Sequence, residues 1–178
     1  MADYITTYTK IHFTPLEPKR EDICISDIAH ALSLMSRANG HFPKFYSVGQ
    51  HCIHCCEEAA ARGYTRRAQL ACLLHDASEA YLADITRPVK RNLSRYKEIE
   101  NVLQDSIFKK YLGTLSPDEE KIWKELDDTL LYYEFLHFMG EKLYDCPGAL
   151  VSCPVFDTEP FADTERKYLD WFERLCRE

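Results

Sequence analysis

The stretch AQLACLLHDASEAYLAD, residues 68–84, decides the fold class. Read at 3.6 residues per turn, it is apolar around most of its circumference, which marks a buried helix. Its middle nevertheless carries His75, Asp76 and Glu79, and no lysine or arginine lies between Ala68 and Ile85. Burying one unpaired carboxylate is costly, and burying two together costs more through repulsion. A divalent cation would offset that cost. His75 and Glu79 are four apart and share a helix face, with Asp76 about 100° round, so ligands and a nearby acid can converge. The plainer reading is a buried polar network in which His75 and Asp76 satisfy each other or a neighbouring helix. Burial alone does not choose between the two.

The preceding segment adds a second histidine. Ser47-Val48-Gly49-Gln50 has the form of a capping box, and the helix it opens runs to about Arg62, with Gly63 placed to end it. Val48, Cys52, Cys55 and Ala59 form its apolar stripe. Thr65 caps the next helix, which is expected to run through about Leu82 and to end at the turn before Pro88. Antiparallel packing across the short turn brings His51 toward that helix, with His54 one turn further on as its competitor. Cys52-x-x-Cys55 reads as core, because no second such pair follows it and no strand precedes it.

Outward from this pair the signals stay helical. Tyr4–Leu16 alternates loosely enough for a short strand or hairpin, closed by Pro15 and Pro18. Ser26 or Asp27 can cap a helix bearing Ile28, Leu32 and Met35, stopped by Asn39-Gly40. Further helices are expected over Leu93–Leu112 and from Ser116 to about Glu141. The second opens with a capping box, Pro117 at its first position and acids in its first turn. Residues 144–160, rich in Pro, Cys and Gly, read as loop before a last amphipathic helix, Phe161–Leu175. The class is all-α, a compact helical bundle of one domain over residues 1–178.

Composition bounds the partners. A formal net charge of −7 argues against nucleic-acid polymers, whose phosphates call for many lysines and arginines. It leaves room for one small anionic substrate held by a local positive centre. No apolar run approaches the roughly 20 residues that span a bilayer. The N-terminus lacks the marks of a signal peptide, so a cytoplasmic protein with its eight cysteines reduced is expected.

A histidine on one helix, a His-Asp pair on the next and an aspartate on a later one resemble the HD-domain phosphohydrolases. His75-Asp76-Ala77-Ser78-Glu79, then Asp84 and Thr86-Arg87-Pro88-Val89-Lys90, is similar to the small deoxynucleotidase branch of that superfamily. So are Asp27–Ser33, Arg37, Asn39-Gly40-His41 and Phe45–His51, and together these segments span about residues 5–140. The resemblance implies an HD-domain bundle binding a divalent ion (Mn, Co, Zn, Fe, Ni or Mg) through His51, His75, Asp76 and Asp128. Asp128 is taken over Asp127 because it better fits the family's spacing to the apolar pair that follows; helical phase leaves both open. The resemblance also implies Glu79 as the acid that positions or activates the attacking water and Asp84 as a second acid at the pocket mouth. Arg37 is implied as a phosphate contact. Lys90 and Arg87 are further candidates for the same role, beside the plain reading of both, and of Arg91, as solvated turn residues. The implied substrate is a small nucleotide, most simply a deoxynucleotide as mono- or triphosphate; a homodimer is implied as well. Cleavage of another phosphoester, such as a signalling nucleotide, and a non-catalytic HD-fold binding module are the competing readings. The last predicts a broken ligand set, whereas His51, His75, Asp76 and a fourth candidate are all present. Phe42, Phe45 and Tyr46 are candidates for a base-stacking surface.

Overall fold

The computed structural model describes residues 3–145 and 147–177. Two two-residue strands, β1 (Ile5–Thr6) and β2 (His12–Phe13), form an antiparallel hairpin with Ile5 opposite Phe13. Everything else regular is helical: α1 (Ile25–Leu34), α2 (Val48–Ala61), α3 (Arg66–Leu74), α4 (Arg87–Lys90), α5 (Ser94–Tyr111), α6 (Pro117–Met139) and α7 (Phe161–Cys176). The all-α class holds. No helix among the described residues is long and apolar enough to cross a membrane.

Helices α2 and α3 form the centre, with α6 packed on both and α7 closing over α1, α2 and α3. Both expected capping boxes are present. The Ser47 hydroxyl accepts from the Gln50 amide at the start of α2, and the Ser116 hydroxyl from the Glu119 amide at the start of α6. The core runs through Ile28, Leu32, Val48, Cys52, Leu73, Leu74, Leu103 and Ile107, with Phe13 of the hairpin stacked on Tyr81. Cys52 and Cys55 are both fully buried, as core packing predicts. Close approach of α2 to its neighbours depends on Gly49, where a Cβ would sit 3.2 Å from the α1 backbone and from Thr164 of α7.

Two expectations are corrected. Helix α1 starts at Ile25 with no side-chain cap. Asp27 is buried and accepts instead from the Thr9 amide (2.7 Å) and hydroxyl (2.8 Å), which ties the hairpin to α1. The larger correction concerns residues 65–82, which are not one helix. Helix α3 ends at Leu74, and after His75 and Asp76 the chain resumes as a 3-10 turn, Ala77–Ala80. The cause is Gln104 on α5. Its side-chain amide donates to the Leu74 carbonyl (2.8 Å) and accepts from the Ser78 amide (3.0 Å), the two groups a continuing helix would pair with each other. Without Gln104 both backbone groups lose their partners. Gln104→Ala is expected to lower stability by about 2 kcal/mol, measured by urea unfolding, and to loosen the Asp76 region. Wild-type stability in that variant would mean that the break has another origin.

The connection from α6 to α7 is held by Glu58 of α2. This wholly buried carboxylate accepts from the Val151 and Ser152 amides, the Ser152 hydroxyl and Arg62. Those bonds outweigh burial and keep its pKa below the ordinary range.

Candidate metal centre

The helix break presents His75 and Asp76 to α2 and α6. The His75 Nε2 lies 3.2 Å from the His51 Nε2 and 3.2 Å from an Asp76 oxygen. The fourth member is Asp127, whose Oδ1 is 3.2 Å from the His51 Nε2 and 3.9 Å from the His75 Nε2. Asp128, the residue taken from the resemblance, does not join them. One step round α6, it points outward, with its side chain 54% exposed and paired with Arg87. The competitor His54 also stands apart, its Nδ1 against the Tyr46 hydroxyl at 2.8 Å.

Hydrogen bonding fixes which atoms the histidines offer. The His75 Nδ1 is 2.8 Å from the Cys72 carbonyl, which can only accept, so that nitrogen carries a proton. The His51 Nδ1 is 2.6 Å from the fully buried Glu134, whose carboxyl is brought down to about 2 by His51 and Arg37 despite its burial. It too must donate. In their neutral forms both rings therefore aim an Nε2 lone pair at the same point, beside two carboxylate oxygens. Four such donors repel one another unless a positive charge lies between them. A proton shows the same demand: although burial opposes it, Asp76 raises the His75 pKa well above the ordinary histidine value. Burial likewise disfavours charge on Asp127 and Asp76, but the histidines and Arg37 hold both acids well below the carboxylate range. Two imidazoles with their outer nitrogens hydrogen-bonded, and two ionised carboxylates, suit a divalent ion.

Thiols also lie within reach. His51, Cys55 and His75 form one group that could hold an ion, and Cys52, His75 and Asp76 another. Burial raises the Cys55 thiol and pushes Cys52 up to about 11, so both resist ionisation. The carboxylates of Asp76 and Asp127 also open onto a cleft whose lining does not include the two thiols.

That cleft, of about 530 Å³, has Asp76, Asp127, Glu79 and Arg37 among its lining residues. Arg37 enters from a turn in which Ala38 and Asn39 adopt left-handed backbone angles (φ 53° and 52°). For Ala38 this conformation costs about 1 kcal/mol. The guanidinium contacts Glu134 (3.2 Å), Asp76 (3.4 Å) and Asp127 (3.5 Å). Asp84 and Lys90 line the cleft as expected, and Lys90 bridges Glu79 (3.4 Å) and Glu100 (2.6 Å). The buried Glu79 Oε2 has no hydrogen-bond partner among the described residues, and burial together with Asp76 and Asp84 raises its pKa well above the ordinary value. Phe42, Leu131, Phe135 and Met139 contribute an apolar side, whereas Tyr46 is buried beneath. Phe45 is not part of the lining.

Glu134 carries little signal in the sequence. It is one acid in an apolar run, seven residues and about two helical turns after Asp127.

No family model matches the chain. It is 39% identical over 108 residues to an uncharacterized protein of Escherichia coli, YfdR, covering 61% of this chain and 58% of that protein. It is 40% identical over 98 residues to an uncharacterized protein of Rhodobacter capsulatus, covering 52% of this chain and 50% of that one. The chain thus spans about half the length of the relatives it matches.

Proposed function

We propose that the chain is a metal-dependent phosphohydrolase acting on a small nucleotide, with His51, His75, Asp76 and Asp127 as the metal ligands. The carrying observation is the convergence of two Nε2 lone pairs and two carboxylates on one point beside an open cleft. A divalent ion bound there supplies Lewis acidity and lowers the pKa of water, which phosphate esters require for attack near neutral pH. The protein supplies the rest. Glu79, with one oxygen on Lys90 and the other without a partner among the described residues, is placed to take a proton from an attacking water and return it to a leaving oxygen. Arg37 and Lys90, which pair with carboxylates of the site in this structure, would turn to phosphate oxygens when substrate enters, and Asp84 adds a second acid to the polar side of the cleft. The apolar side, from Phe42 to Met139, receives the nucleoside, which favours a nucleotide over a bare phosphate.

The test is a phosphate-release screen of dNMPs, NMPs and dNTPs with Mn(II), Co(II), Zn(II) and Mg(II). Metal-dependent turnover of at least one nucleotide class is expected. No turnover with any pair would turn the reading toward a binding module.

A further inference from the structure

Two aspartates stand side by side on α6, and only Asp127 faces the histidines. Asp128 is mostly exposed, yet it is engaged. The Arg87 Nη1 donates to the Asp128 Oδ1 at 2.6 Å, while its Nη2 donates to the Asp127 Oδ2 at 2.8 Å. One guanidinium thus spans both carboxylates with its two terminal nitrogens, a geometry that a planar fork offers and an ammonium does not. The division of labour at Asp127 follows. Its Oδ2 is taken by Arg87, and its Oδ1 is left facing the His51 and His75 nitrogens. The Tyr144 hydroxyl donates to the Asp128 backbone carbonyl, which fastens the same turn of α6 from the other side.

We propose that Arg87 is a positioning residue that sets the rotamer of Asp127 and restricts it to one metal-facing oxygen, with Asp128 as its anchor. This rests on the metal-centre reading above. It gives the Asp127-Asp128 pair two distinct tasks and gives the short helix α4 a reason to sit at the cleft mouth. Arg87, with both terminal nitrogens on carboxylates, serves the site's own ligand.

The experiment is titration of metal-free protein with Mn(II) alone, read by equilibrium dialysis, with phosphate-release kinetics alongside. Arg87→Ala is expected to weaken Mn(II) binding about 10- to 100-fold, the range usual for outer-shell partners. Arg87→Lys should recover part of that loss. Asp128→Asn should weaken binding in the same direction by less, and should add nothing in the Arg87→Ala background. Unchanged Mn(II) affinity in Arg87→Ala, with only KM raised, would overturn the proposal and make Arg87 a phosphate contact. Additive losses from the two substitutions would overturn Asp128 as the anchor. Should Arg87→Ala not fold, Arg87→Gln enters the same titration under the same criteria. Wild-type protein that takes up no Mn(II), Co(II) or Zn(II) would instead fail the metal-centre reading itself, a result distinct from wild-type uptake unaffected by Arg87.

Discussion

Asp127→Asn is expected to abolish metal-dependent phosphate release and to weaken divalent-metal binding by about 100-fold or more, beyond the range of outer-shell losses. The neighbouring Asp128→Asn should keep most activity. The contrast is large because the two side chains, adjacent in sequence, stand in different surroundings. Asp127 faces the His51 and His75 Nε2 atoms, and Asp128 faces Arg87 at the surface. An amide at 127 keeps the shape but removes the negative charge, and its NH₂ group would face the Arg37 guanidinium in one orientation and the Arg87 guanidinium in the other. Metal titration and steady-state kinetics on both variants measure the effect. Equal behaviour of the two, or greater loss at 128, would reject the placement of α6.

Glu79→Gln should reduce kcat by about 10²- to 10⁴-fold, as loss of a general base does, while metal content stays at the wild-type level. Stability should move the opposite way. Burial, Asp76 and Asp84 raise the folded-state pKa of Glu79 above its unfolded value. Between those two values the folded protein binds more protons than the unfolded chain, so this group makes stability fall as pH rises. Glutamine removes that slope. Metal-free Glu79→Gln should therefore unfold at higher urea than wild type at about pH 8, with the stability gap narrowing toward about pH 4. Parallel pH profiles for the two proteins would show that Glu79 carries no such burden.

The helical class, both capping boxes and the α2–α3 pairing were legible because they follow from local spacing. The convergence of His51 with His75 and Asp76 was also legible, since a charged pair in an apolar helix needs a compensating partner from the helix packed against it. The break after Leu74 was not. It is imposed by Gln104, thirty residues downstream, and a polar residue on α5 announces nothing about a backbone it will meet only in the fold. Which of Asp127 and Asp128 faces the histidines was not legible, for a related reason. The two differ by about 100° on α6, their apolar neighbours are equivalent in pattern, and only the docking of α6 on α2 and α3 decides which faces inward. Glu134 went unread because its partners, His51, Tyr46 and Arg37, come from distant segments.

The central claim is that two histidines and two aspartates share one ion. It is tested most directly by anomalous diffraction from crystals of protein loaded with Mn(II) or Zn(II). The predicted result is a single strong peak bonded to the Nε2 atoms of His51 and His75 and to one oxygen each of Asp76 and Asp127. A peak on the thiols of Cys52 or Cys55, on Asp128, or nowhere in the cleft would contradict it.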